Sequence, residues 1–300
     1  MDLSVKIAGV ELKNPITTAS GTFSAHDSSE FYDLSELGAM ITKGVANIPW
    51  EGNATPRIAE TYGGMLNSVG LQNPGIEYFI KHELPFAKQF DTKVIVNVAG
   101  RSIEDYCEVV ERLGDTDIDM LEVNISCPNV KKGGIGFGTD PSLAAEVTRQ
   151  VKRVAKQPLI IKLTPNVTDI TEIAKAVEAE GADAVSLINT LLGMRIDVHK
   201  QKAILANKMG GFSGPSIKPV AVRMVYQVRR AVDIPIIGLG GIMTGEDVAE
   251  FILAGADAVS IGTAAFANPA APVDIKNELI SYMEKYGFSS LKELRDAFRE

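Results

Sequence analysis

Gly181-Ala-Asp-Ala-Val-Ser186 and Gly255-Ala-Asp-Ala-Val-Ser260 are the same six residues written twice, 74 positions apart. Half of that interval is 37 residues, room for one strand, one helix and their turns. A second echo sets Pro158 before Leu-Ile-Ile-Lys-Leu and Pro235 before Ile-Ile-Gly-Leu-Gly, each followed by a helical pattern. Two separate echoes indicate a repeated βα unit. With that period, apolar runs predict parallel strands near 16–20, 39–43, 93–97, 120–124, 158–162, 184–188, 235–239 and 258–262. None alternates strictly between polar and apolar residues, as expected where both faces of a sheet are covered. Strand-helix alternation also suits a doubly wound open sheet, but a count of eight favours closure into an α/β (β/α)8 (TIM) barrel.

The rest of the chain is consistent with that reading. Its 300 residues, 45% hydrophobic, suffice for a single domain spanning 1–300, and no linker or low-complexity tract interrupts it. The segment Ser4-Val-Lys-Ile-Ala-Gly-Val-Glu-Leu12, with Gly9 at its turn, predicts an N-terminal β-hairpin closing the barrel bottom. Ser102 with Asp105, and Thr244 with Asp247, have the spacing of helix capping boxes, and Gly114 is expected to end the first of these helices. A net charge of −8 argues against nucleic acid, which requires clustered and unopposed Lys and Arg. The start lacks a basic or continuous apolar segment and no run is long enough to cross a bilayer, so a soluble, cytoplasmic protein without a membrane partner is expected. Two cysteines are too few for a disulfide framework.

In a barrel of this kind the chemistry sits at the carboxyl ends of the strands. The residues there are polar: Ser20, Lys43, Gly44, Asn97, Asn124, Ser126, Cys127, Lys162, Asn189, Thr190, Gly240, Gly241, Gly262 and Thr263. The glycine turns after the seventh and eighth strands fit a phosphate held by backbone N–H groups, with Gly214 adding a further amide; glycine turns without a ligand are the plainer alternative. Lys43 and Lys162 follow buried runs, where an uncompensated ammonium is costly, so each either meets an anion or electron-rich ring or snorkels to the rim. Asn67, Asn97, Asn124 and Asn189 offer both donor and acceptor edges to a planar ligand.

Cys107 falls on the apolar stripe of its helix and reads as packing. Cys127 stands in Asn124-Ile-Ser-Cys-Pro-Asn129, ahead of the glycine-rich Lys131–Gly138, where a thiol could serve as base or nucleophile under a lid or be a loop residue without a role. His26, His82 and His199 show no metal spacing and read as surface residues, so no metal site is expected. No dinucleotide glycine fingerprint follows the first strand. A sugar-phosphate lyase or isomerase using Lys162 as a Schiff-base lysine remains open on these residues alone.

At these motifs the chain resembles the dihydroorotate dehydrogenases, nearly end to end: Asn14-Pro with Ala19-Ser-Gly-Thr-Phe23, Thr42-Lys-Gly44, Asn67-Ser-Val-Gly-Leu-Gln-Asn-Pro-Gly75, Asn124-Ile-Ser-Cys-Pro-Asn129, Asn189-Thr190 and the two glycine turns. A cysteine base marks the soluble class 1 members, and the opening Leu3–Pro15 and the segment Val130–Asp140 look like class 1B catalytic subunits. The resemblance implies oxidation of (S)-dihydroorotate to orotate in de novo pyrimidine (UMP) biosynthesis. It also implies FMN in this chain, FAD and a [2Fe–2S] cluster in a partner electron-transfer subunit, a heterotetramer with two copies of each, and NAD+ as terminal acceptor. Carried over, Cys127 would be the base. FMN contacts would be Ser20, Lys43, Gly44, Asn97, Asn124, Lys162, Ile188, Gly214, Gly240, Gly241, Gly262 and Thr263. Substrate contacts would be Lys43, Asn67, Ser68, Val69, Gly70, Leu71, Asn124, Asn189 and Thr190. Ser24-Ala-His-Asp27 departs from the family's glycine-aromatic run.

Overall fold

The computed structural model describes residues 1–126 and 136–299. In chain order its strands are β1 (Val5–Ile7), β2 (Val10–Leu12), β3 (Ile16–Thr18), β4 (Ala39–Ile41), β5 (Ile58–Thr61), β6 (Gly64–Asn67), β7 (Lys93–Val98), β8 (Met120–Asn124), β9 (Leu159–Lys162), β10 (Ala184–Leu187), β11 (Leu191–Met194), β12 (Ile196–Asp197), β13 (Lys202–Ala203), β14 (Met209–Ser213), β15 (Ile236–Leu239) and β16 (Ala258–Ile261). Strands β3, β4, β7, β8, β9, β10, β15 and β16 pair in parallel and close into a barrel, β16 returning to β3. Each expected run holds one of these strands. The six-residue repeat covers β10 and β16 with the turns leading into them.

Why these runs lack alternation is visible in the two faces they cover. Val94, Val96, Val98, Leu121, Val123, Leu159, Ile161, Val185, Leu187, Ile236 and Val259 face outward and pack with the helices in one continuous core. Residues of the opposite parity line the lumen. At its lower end Ala39, Ile41, Ile95, Met120, Ile160, Ala184, Ile237 and Ala258 form an apolar layer. Into that layer the β1–β2 hairpin inserts Ile7 and Leu12, both fully buried. The hairpin therefore plugs the barrel floor. Leu12→Ala is expected to cost about 2–5 kcal/mol, since a plug held by one hairpin leaves a cavity the rigid strands cannot fill. Urea denaturation of the ligand-free chain checks this, and ligand affinity, read at the opposite mouth, should not change.

Helix starts follow local chemistry. Thr244 Oγ1 accepts from the Asp247 amide while the Asp247 carboxylate accepts from the Thr244 amide, the full capping box expected for the helix Gly245–Leu253. At Ser102 only half of the box forms: its hydroxyl accepts from the Asp105 amide, but the Asp105 carboxylate takes the Arg101 amide instead. Gly114 does end that helix, Ile103–Leu113, although with right-handed backbone.

A uniform period leaves no space for a second sheet, and here the structure departs from it. Strands β5, β6, β14 and β11 form a four-stranded antiparallel sheet contributed by the excursions after β4 and after β10. Close approach is what the glycines of β14 permit: a Cβ on Gly210 would lie 2.5 Å from the Asn67 carbonyl oxygen, and one on Gly211 would lie 2.0 Å from Thr190 Oγ1. This sheet brings the 67–71 segment alongside the residues that follow β10.

Candidate active site

Above the apolar floor the lumen turns polar. Asn97 on β7, Glu122 on β8, Lys162 on β9 and Ser186 on β10 share the lumen parity and stand on four adjacent strands. Asn97 Nδ2 donates to Glu122 Oε1 at 2.6 Å, Ser186 Oγ donates to Oε2 at 2.8 Å, and Lys162 Nζ lies 3.4 Å from Oε1. Glu122, Asn97 and Ser186 are fully buried and Lys162 is 4% exposed. Two observations indicate that this layer is built toward something above it. Among the described residues Asn97 Oδ1 is buried without a hydrogen-bond partner, and the nearest further acceptor to Lys162 Nζ is Ser20 Oγ, at a long 3.5 Å.

Ser20 leads to a run of close contacts around the mouth. A Cβ on Gly262 would meet Ala19 Cβ at 3.3 Å; Thr263 Oγ1 and Ser213 Oγ are 2.8 Å apart; Gly214 follows Ser213. A Cβ on Gly241 would lie 2.8 Å from the Gly214 carbonyl oxygen, and one on Gly240 would lie 3.3 Å from Ile188 Cγ1. Gly214, Gly240 and Gly241 have φ of +112°, +127° and +83°, backbone that glycine alone adopts without strain. Ser20, Ile188, Gly214, Gly240, Gly241, Gly262 and Thr263 thus lie together at one end of the barrel.

The remaining expected residues approach the same mouth from the other side. Ser126 N donates to Asn124 Oδ1, as does Asn189 Nδ2 at 3.3 Å, and the Asn189 Oδ1 accepts from the Thr190 amide. A Cβ on Gly44 would lie 3.0 Å from Asn97 Oδ1 and 3.7 Å from Leu71 Cδ2, which ties Lys43-Gly44 to the 67–71 segment. In that segment Gly70 and Leu71 both have positive φ, +77° and +55°, and Ser68 Oγ is buried without a partner among the described residues. Positive φ at a leucine is strained, and such strain collects where a backbone is shaped for a ligand. Val69 joins the segment to Asn53, whose amide donates to its carbonyl.

Lys43 has no acceptor within hydrogen-bond reach among the described residues. Its burial, and secondarily the Arg57 guanidinium, hold its ammonium below the ordinary lysine range. The folded state therefore binds that proton less tightly than the unfolded chain, a cost present at neutral pH and relieved as pH rises toward 10.5, the unfolded value. An anionic ligand would offset the same cost. Lys43→Met is therefore expected to stabilise the ligand-free chain at neutral pH, with the gain vanishing at high pH, and to weaken binding of a carboxylate ligand at this mouth about tenfold or more. Thermal melts across pH and calorimetric titration with a carboxylate ligand check both halves.

Cys127 and the glycine-rich Lys131–Ile135 lie outside the described residues. Cys107 packs on the core side of its helix, where burial and the neighbouring Glu111 and Glu104 push its thiol up, away from reactivity. His26, His82 and His199 are exposed, and among the described residues no His, Cys, Asp and Glu group could hold a metal. Among the described residues no helix is long and apolar enough to cross a membrane. Glu122 and Arg57 escaped the sequence reading. Glu122 carried a usable signal: it is the one charge inside Met120-Leu-Glu-Val-Asn124, with the parity of Asn124.

Comparison with known proteins places this geometry in a family. The family model for dihydroorotate dehydrogenase matches residues 2–283. The chain is 67% identical, over 98% of both sequences, to the dihydroorotate dehydrogenase B (NAD(+)) catalytic subunit of Alkaliphilus metalliredigens. It is 64% identical to the protein of that name from Alkaliphilus oremlandii, over 98% of this chain and 97% of the relative, and 60% identical to that from Lachnoclostridium phytofermentans, over 98% of both. With a closed eight-stranded barrel, a polar lumen beneath one mouth and full-length matches of this order, the chain belongs to the dihydroorotate dehydrogenase family.

Proposed function

We propose that this chain is the catalytic subunit of an NAD+-linked dihydroorotate dehydrogenase, oxidising (S)-dihydroorotate to orotate in pyrimidine biosynthesis. The observation that carries the reading is a pair of ammonium groups, Lys43 and Lys162, at the mouth where Asn97 Oδ1 has no partner among the described residues. An anionic, amide-edged heterocycle satisfies that set, and FMN and dihydroorotate are both such molecules.

FMN fits the residues present. Asn97 Oδ1, unpartnered among the described residues, can accept from a ring N–H, Lys162 can donate to an electron-rich ring edge, and the positive-φ glycines 214, 240 and 241 form turns whose backbone N–H groups could hold a phosphate. Ser20, Lys43, Gly44, Asn124, Ile188, Gly262 and Thr263 would complete its surroundings. When bound, FMN supplies the hydride acceptor for substrate C6.

The chain's own groups handle the rest. Lys43 pairs with the substrate carboxylate, and Asn67, Ser68, Val69, Gly70, Leu71, Asn124, Asn189 and Thr190 orient the ring by their amides, backbone and apolar contact. Cys127, as thiolate, removes the proton from C5; with hydride loss from C6 this leaves the C5–C6 double bond of orotate. No dinucleotide fingerprint occurs in the chain, which suits an arrangement in which electrons reach NAD+ through a partner subunit carrying FAD and a [2Fe–2S] cluster, in a cytoplasmic heterotetramer.

Anaerobic mixing of the FMN-loaded chain with dihydroorotate tests the reading. Loss of the visible absorbance of oxidised flavin with stoichiometric release of orotate is the expected result. Bound flavin that dihydroorotate leaves oxidised and dihydrouracil reduces would assign the chain to uracil-ring chemistry instead.

A further inference from the structure

Glu122 takes no part in the chemistry described above, yet it is the only fully buried carboxylate among the described residues. Its position is specific. Both oxygens are used, Oε1 by Asn97 and Lys162 and Oε2 by Ser186, so three side chains from three other strands converge on one carboxylate. Burying a charge in this way is costly, and the lumen floor just below is filled by apolar residues alone. Two consequences follow from the geometry. A carboxylate accepts and does not donate, so Asn97 must turn its Nδ2 down to Glu122 and present Oδ1 upward, where it has no partner among the described residues. And the positive charge of Lys162 is offset from below, so a ligand above meets an ion pair rather than a bare ammonium.

We infer that Glu122 is a positioning residue which acts through Lys162 and Asn97 to set the reduction potential of the flavin. The inference rests on the proposed function, since it requires FMN at this mouth. Reduction would place electrons on the ring, and the Lys162 ammonium would stabilise that added negative charge. Glu122 diminishes the effect. It holds the potential below the value an uncompensated lysine would give, which favours passing electrons onward to an acceptor.

The test is a reductive titration of the FMN-loaded full chain against a reference dye, with FMN affinity measured in both oxidation states. Glu122→Gln keeps the shape and removes the charge. Its expected effect is about a tenfold rise in the ratio of affinities for reduced over oxidised FMN, equivalent to about 30 mV upward for a two-electron couple. The rise should disappear in a Lys162→Met background, because the route runs through that cation. A merely structural Glu122 would lower affinity for both oxidation states alike, and an unchanged ratio overturns the inference, as does a rise that persists undiminished without Lys162. Should Glu122→Gln not fold, Ser186→Ala serves: with one donor lost from Oε2 the carboxylate competes harder for Lys162, so the ratio should fall two- to threefold, and an unchanged ratio again refutes the inference. Wild-type chain that binds no FMN, or whose flavin dihydroorotate does not reduce, would instead overturn the proposed function and take this inference with it.

Discussion

Replacing Cys127 with serine should lower turnover of dihydroorotate at neutral pH by about a hundredfold to ten-thousandfold, the usual contribution of a positioned general base. In the proposed reaction the base is the Cys127 thiolate. An ordinary thiol titrates near 8.5, so at neutral pH only a minor fraction of an unperturbed cysteine is competent. The wild-type rate should rise with pH below the thiol value and level off above it. A serine hydroxyl ionises far above this range, so the variant should keep rising, without a plateau, across the pH range the protein tolerates. Rapid-reaction measurement of flavin reduction across pH separates this step from substrate binding. A variant that keeps the wild-type rate at neutral pH, or a wild-type profile without the thiol inflection, removes Cys127 from the role.

Lys162→Met should be the most destabilising single change at the mouth. It leaves the Glu122 carboxylate, fully buried, with Asn97 and Ser186 as neutral donors and no compensating cation. Breaking a buried pair from one side costs about 3–5 kcal/mol, because the remaining charge has neither water nor partner. For a chain of this size that corresponds to a fall in Tm of roughly 10 °C, measurable in the ligand-free protein by calorimetry. The companion measurement decides the cause. In Lys162→Met combined with Glu122→Gln no charge is stranded, and most of the loss should return. If the two variants melt together, the ion pair is not what the lysine contributes. Neither change depends on FMN for its readout.

The eight strands, the plugged floor and the polar mouth were legible because each rests on a local regularity. A repeated six-residue segment marks a repeated unit, buried parallel strands give unbroken apolar runs, and the residue after such a run stands at the carboxyl mouth whatever the detail of the fold. Ser20, Lys43, Asn97, Asn124, Lys162 and the glycine turns could therefore be placed at one end from the chain alone. Other features depend on residues that are distant in sequence. The four-stranded sheet pairs Asn67 with Gly211, 144 positions away, and no local period encodes such a partner. The half-formed box at Ser102 turned on whether the Asp105 carboxylate took the Ser102 or the Arg101 amide, a choice the spacing leaves open.

Glu122 shows the boundary most clearly. In sequence it is a lone charge in a strand, and its parity with Met120 and Asn124 directs it into the lumen. The sequence by itself determined the eight strands, the faces they present and the residue types at their carboxyl ends, because strand parity and strand ends are properties of neighbouring residues. Only the tertiary structure decided that Asn97, Lys162 and Ser186 meet on that carboxylate, because the contacts depend on register across four strands, and a shift of one residue in any strand would turn its side chain out of the lumen.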